Sequence, residues 1–341
     1  MSAGPPLRRS LRPLSDTDRP LALPHLETGD GPFRFLGHET TLVDELTLPL
    51  WNDCAGAREL GSWPEAERVV IAGWYAAGLL VAVPPARTRG RGSFLVVSPH
   101  PDDAQLAVGG LLAAGGGHVV DVFTEETWTR RAYYTERPEL TASLLLAEER
   151  VACRVLGAEL TLLRHVDGEA RPAWKESFFL DDPARSRPQD VEPDLFAALV
   201  ADLGAALPPA GDVLAPLGVG GHVDHVLSRE AVLDLVAGGA LDPARLVFYE
   251  DMPYSVFGDA GAAATALSAR RDVGPLRSVL VPSRAADVKR EALWAYRLQT
   301  TEGMTTRVMR YGAKLVPDQP FAERLWVTPE RTTPLFSATT E

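Results

Sequence analysis

Short apolar runs alternate with amphipathic stretches over most of this chain. SFLVVSPH (93–100), HVVDVFTE (118–125), AELTLLRH (158–165), DVLAPLG (212–218) and RLVFYED (245–251) each read as a strand. Helical stretches such as ASLLLAEERVACRVLG (142–157) and VLSREAVLDLVAGG (226–239) separate them. Strand and helix in alternation imply right-handed βαβ units, hence an α/β domain whose mostly parallel sheet carries helices on both faces. The texture upstream is different. FRF (33–35) suggests a short strand, TTLVDELTLPLWNDC (40–54) a broken helical stretch, PEAERVVIAGWYAAG (64–78) an amphipathic helix and LLVAV (79–83) a strand. In that helix Val70, Gly73, Trp74 and Ala77 share one face by the i, i+3, i+4, i+7 rule. The expected organisation is an irregular segment over 1–30, a small winged-helix-like module over 31–88 and the α/β domain over 89–341, with PPARTRGRG (84–92) as linker.

Composition narrows the partners. The 341 residues carry a net charge of -12, which disfavours bulk nucleic-acid binding, and no apolar run approaches a membrane span. The front module is acidic too, with Arg34, Arg58 and Arg68 set against Glu39, Asp44, Glu45, Asp53, Glu59, Glu65 and Glu67. It is a poor phosphate binder and reads instead as a contact surface for a peptide, a protein partner or another subunit. Cys54 and Cys153 lie far apart and form no C-x-x-C pair, which fits a cytoplasmic protein.

Ligands of open parallel sheets bind beyond the carboxyl ends of the strands, so the residues that follow each strand matter most. After FLVV comes Ser98-Pro99-His100-Pro101-Asp102-Asp103, and after DVLAPLG comes Gly220-Gly221-His222-Val223-Asp224-His225. His100 and Asp103 stand three apart, which lets an imidazole and a carboxylate converge on one ion. His222 and His225 share a face if they open a helix. Zinc takes nitrogen and oxygen ligands, and a catalytic site uses three protein groups with one position open. A His, Asp, His set supplies them. The plainer alternative is a capped turn before the helix starting near Ala104, with two exposed histidines elsewhere.

Together SPHPDDAQLAVGG, GVGGHVDH and FYEDMPY resemble the PIG-L or LmbE-like deacetylase family over roughly residues 93 to 310. The resemblance implies a Rossmann-like domain and zinc-dependent hydrolysis of an N-acetyl amide on a small acylated amine, typically an aminosugar-containing metabolite. It matches His100, Asp103 and His225 to the metal ligands, Asp102 to the general base and His222 to the group that steadies the oxyanion and can protonate the departing amine. Asp224 is expected to hold His222 charged and oriented. Ala104 stands where the family usually has Glu. Glu250, Asp251 and Tyr254 are the expected substrate contacts, because FYEDMPY follows a strand near the pocket in the resemblance. Gln299 is a further candidate. The long segment from 170 to 193 is a plausible wall or lid, Gly109-Gly110 reads as a close-packing site, and Glu148 and Glu149 read as the solvated face of a helix. Two other functions fit the same residues: a noncatalytic metal-binding protein that recruits a partner through its front module, and a metal-dependent esterase or peptide amidase.

Overall fold

The computed structural model describes residues 12–29, 31–85, 94–332 and 335. The α/β domain is built as its pattern dictates. β3 (Phe94–Ser98) leads through α3 (Asp103–Gly115) to β4 (His118–Glu125), and α4 (Pro138–Leu156) leads to β5 (Glu159–Val166). After α5 (Pro193–Ala206) the chain returns to β6 (Asp212–Pro216), α6 (Val223–Ala237) and β7 (Leu246–Tyr249). All five strands are parallel, and β6 lies on the opposite side of β3 from β4. The connections therefore diverge between β3 and β6, which leaves a crevice at their carboxyl ends. Two antiparallel strands that the sequence reading did not mark, β8 (Arg277–Pro282) and β9 (Ala322–Val327), extend the sheet beyond β7, giving the order β8-β9-β7-β6-β3-β4-β5. Helices α3, α4 and α7 (Ala286–Leu293) pack on one face, and α5 and α6 cover the other. Helix α7 stops at Leu293, and a separate helix, α8 (Glu302–Lys314), follows.

The front of the chain differs from its expected form. The segment read as irregular supplies a strand, β1 (Arg19–Ala22), whose partner is the antiparallel β2 (Leu80–Val83). The helices α1 (Leu48–Asp53) and α2 (Glu65–Ala76) occur in the expected order, but β2 closes on β1 and not on a hairpin of its own. In α2 the buried residues are Ile71, Trp74 and Tyr75, while Gly73 faces solvent, so the inner face is turned from the expected one. Tyr75 explains the turn: its hydroxyl donates to the buried carboxylate of Glu291 on α7 at 2.9 Å, and the Ala82 N–H donates to the same carboxylate at 2.7 Å. His25 meets Glu148 of α4 at 2.6 Å, with both side chains buried. Most of the expected linker, residues 86–92, lies outside the described residues.

Helix α3 kinks at Val108 (φ -123°, ψ 23°), and the kink is answered from the far edge of the sheet. The N–H groups of Gly110 and Leu111 donate to the Glu323 carboxylate at 2.8 Å each. Lys289 pairs with Glu323 at 2.7 Å and donates to the Ala107 carbonyl at 3.2 Å. A Cβ on Gly110 would meet Ser283 Oγ at 2.9 Å, so this glycine permits the approach. Because both ions are buried, Glu323→Ala leaves an unpaired ammonium in the core and is expected to cost about 3–5 kcal/mol of stability. Urea denaturation checks this, with the doubly neutral Lys289→Met/Glu323→Gln variant expected to lose clearly less.

Candidate functional site

The crevice between β3 and β6 holds a cavity of about 390 Å³ lined by His100, Asp102, Asp103, Glu126, Trp128, Asp167, Phe178, Phe179, His222 and Tyr254, among others. Local chemistry shapes both loops at its floor. Ser98 Oγ donates to the His100 carbonyl at 2.7 Å and accepts the Ala104 N–H at 3.1 Å, tying the turn to the start of α3. Asp102 sits in the left-handed region (φ 101°), an uncommon conformation for a residue with a side chain. Glu149 braces it, accepting the Asp102 N–H at 3.1 Å, and Thr300 Oγ1 donates to Asp102 Oδ2 at 3.2 Å. In the second loop Gly221 has φ +76°, and a Cβ there would lie 2.5 Å from the Leu180 carbonyl oxygen.

Asp103 is the centre of the cluster. Its Oδ2 lies 3.2 Å from His100 Nδ1 and 3.2 Å from His225 Nε2. His225 Nδ1 pairs with Asp251 at 2.7 Å, which leaves Nε2 as the nitrogen that can give its lone pair to an ion once its proton is lost; Nε2 is buried and makes no well-aligned hydrogen bond. His100 Nε2 is likewise fixed from behind, 2.9 Å from Asp167 and 3.0 Å from Asp224. Two imidazoles with backing carboxylates and a carboxylate between them suit a divalent ion, since roughly 3.3 Å separates donors in a tetrahedron with bonds of about 2.0–2.1 Å. The ring nitrogens of His100, His222 and His225 also lie within 4.8 Å of one another. A second grouping, His100 with Asp167, His222 and Asp224, is less open to an ion, because Asp224 is already engaged by Arg171 at 2.7 Å and the Gly168 N–H at 2.8 Å.

Electrostatics follow from this crowding. Burial opposes charge on His100 and His225, yet the carboxylates around them prevail: Asp103, Asp167 and Asp224 hold His100 well above the usual imidazole range, and Asp103 and Asp251 raise His225 to about 9. Burial would raise Asp103, but His225 and His100 hold it well below the usual carboxylate range. Burial and the charges of His100 and His225 lower His222 to about 3. Burial pushes Asp102 well above its ordinary range, helped by Asp103 and Glu126, and burial raises Glu126 to about 8.

The structure brings His100, Asp102, Asp103, His222 and Tyr254 to the cavity wall and sets His225 directly behind them. Four expectations are corrected. Asp224 does not hold His222: its carboxylate is turned to His100, Arg171 and Gly168, and only its backbone N–H reaches His222 Nδ1, at 3.2 Å. Asp251 is no substrate contact, because one oxygen fixes His225 and the other accepts the Gly218 and Val219 N–H groups at 2.8 Å each. Glu250 is turned away and bonded to Tyr311 and Arg324. Glu148 and Glu149 are fully buried, the reverse of a solvated helix face.

Glu126 and Phe179 were not singled out from sequence; Asp167, which follows a strand, reads there equally as a sugar-hydroxyl contact or a plain loop residue. Glu126 stands directly after β4, where the strand-end rule could have found it; Gln299 Nε2 donates to its Oε2 at 3.0 Å, while Oε1 is buried without a partner. Phe178 and Phe179 come from the 170–193 segment, which hydrogen-bonds across the second loop: the Val223 N–H donates to the Phe178 carbonyl and the Leu180 N–H to the Gly221 carbonyl, both at 2.8 Å.

A family model described as PIG-L, GlcNAc-PI de-N-acetylase, matches residues 95–236. A 2'-N-acetylparomamine deacetylase from Streptomyces fradiae is 33% identical over 234 residues, covering 67% of this chain and 80% of that protein. Among solved structures, the zinc-inhibited form of a teicoplanin deacetylase shares the fold at 18% identity (TM-score 0.52; 68% of this chain, 96% of that one). So does a deacetylase of an antimicrobial pseudoaglycone at 22% identity (TM-score 0.50; 72% and 100%).

Because Asp251 sets the tautomer and angle of His225, Asp251→Asn is expected to weaken affinity for a divalent ion by roughly 10–100-fold while the chain stays folded. Competition against a chelating dye measures the affinity, and circular dichroism monitors the fold.

Proposed function

Because this chain belongs to the PIG-L family of deacetylases, we propose that it uses zinc to hydrolyse an N-acetyl amide on a small aminosugar-containing metabolite. The observation that carries the reading is the convergence of His100, Asp103 and His225 on one point beside Asp102, with the buried Nε2 of His225 left for a ligand. These residues would hold the ion. When bound, zinc supplies a Lewis acid that makes water nucleophilic near neutral pH and polarises the amide carbonyl.

The remaining steps belong to the protein's own side chains. Asp102, held by Glu149 from behind and by Thr300 from the side, takes the proton of the attacking water as general base. Its strained backbone fixes the direction of the carboxylate. His222 accepts the Asp224 N–H at Nδ1, so Nε2 carries the proton and donates to the oxyanion that develops on the carbonyl. The departing amine must be protonated, and the proton gathered on Asp102 can be returned to it. Phe178, Phe179 and Tyr254 give the cavity aromatic walls suited to the apolar face of a sugar ring, and Glu126 with Gln299 offers polar partners for its hydroxyl or amino groups. Burial of both Cys54 and Cys153 as free thiols supports a cytoplasmic setting, and no helix among the described residues is long and apolar enough to cross a membrane.

Acetate release from a panel of N-acetylated aminosugars, with metal content measured in parallel, tests this function. Asp102→Asn is expected to keep its zinc and lower kcat by about 10²–10⁴-fold. Chelation is expected to abolish acetate release, and added zinc to restore it. A zinc-loaded wild type that releases acetate from no member of the panel, or a fully active Asp102→Asn variant, counts against the assignment.

A further inference from the structure

A second and larger cleft, about 730 Å³, adjoins the catalytic cavity and shares Arg130 and Thr300 with it. Its wall carries Arg130, Arg131, Arg297, Arg307 and Arg310 against a single carboxylate, Glu302. In a chain of net charge -12 this is a local reversal of the field. Carboxylates are plentiful, yet Arg130, Arg131, Arg307 and Arg310 form no ion pair among the described residues. Arg130 and Arg131 each give one N–H to a backbone carbonyl, of Gln299 and Arg297, at 2.9 and 2.8 Å. Arg130 also stands 5.2 Å over the Trp128 ring, and Arg307 stands 5.5 Å over Phe257. All four line the cleft, and Arg130, Arg307 and Arg310 are exposed.

Guanidiniums gathered without counterions repel one another, and their forked donors match the geometry of oxyanions. The neighbouring cavity has the opposite character, with Asp102, Asp103, Glu126, Asp167 and Glu169 in its wall. One molecule spanning both spaces therefore needs two unlike ends. We propose that the arginine cleft is a subsite for an oxyanion, a phosphate or a carboxylate, borne by the same molecule whose acetamide enters the catalytic cavity. This assignment rests on the deacetylase reading for the identity of the other end.

Titration of the full-length, zinc-loaded protein with inorganic phosphate and with succinate, followed by calorimetry at low salt, tests the cleft itself. At least one probe is expected to bind. The Arg307→Ala/Arg310→Ala variant is expected to bind it at least about tenfold more weakly, and raised salt to weaken it in the wild type. The tighter probe tells phosphate from carboxylate. Failure of both probes to bind, or equal affinity in the double variant, overturns the subsite. A second arm compares acetate release from N-acetylglucosamine and N-acetylglucosamine 1-phosphate. A KM about tenfold lower for the phosphorylated sugar, with the difference lost in the double variant, supports one molecule filling both spaces; equal KM values in the wild type overturn it. Acetate from neither sugar counts against the deacetylase reading on these substrates, and the titration then decides the cleft independently.

Discussion

Negative charge buried at the junction of β3 and β6 has to be answered by positive charge, and much of the domain is arranged around that requirement. Asp103 and Asp224 are almost wholly buried, Asp167 nearly so, and Asp102 opens only to the cavity. Imidazoles thread between them, Arg171 closes the back, and backbone N–H groups satisfy the outer oxygens. Such a cluster is costly for a fold to hold unless a cation completes it. The sheet makes the arrangement possible: strands diverging on either side of one point bring two loops, more than a hundred residues apart in sequence, within hydrogen-bonding distance of each other.

The parts legible in the sequence are those with a short-range signature. The five parallel strands are continuous apolar runs, and the two loops that meet at the cavity carry His and Asp directly after a strand, where the strand-end rule looks for a site. What escaped has a long-range cause. The glutamates of α4 look amphipathic by period, yet both are buried, because Glu148 meets His25 and the backbone after α7 while Glu149 supports Asp102 and Gln105. Strand β9 pairs with β7 and β8, while among the described residues β8 pairs with β9 alone and is half exposed, so neither shows the dense apolar run of the central strands. The roles of Asp224 and Asp251 were misread for a related reason: a carboxylate beside a histidine in sequence need not be the one that orients it in space.

The front module shows the same logic at a different scale. Its boundary was drawn by composition, but β1 belongs with β2, and Leu21, Leu23, Val81 and Val83 join the core beneath α3 and α4. Two carboxylates of the α/β domain, Glu148 and Glu291, receive some of its polar contacts, and Glu27 of the module accepts from Tyr133, Tyr134 and Arg137 in return. Through Glu148, whose other hydrogen bonds hold the Arg297 and Leu298 N–H groups, the module also steadies the segment that carries Gln299 and Thr300 to the cavity.

The hydrogen bonds that join Phe178 and Leu180 to the Gly221–Val223 stretch bear on how such a cavity can change its occupant over evolutionary time. The aromatic wall and the histidine loop are stitched edge to edge, with a glycine at the seam whose replacement would collide with the opposing carbonyl. Insertions within 170–193 can therefore remodel the wall only on the far side of that seam. A transplanted wall from another protein would bring its own strand register, and the histidine loop would have to travel with it as a single inherited unit.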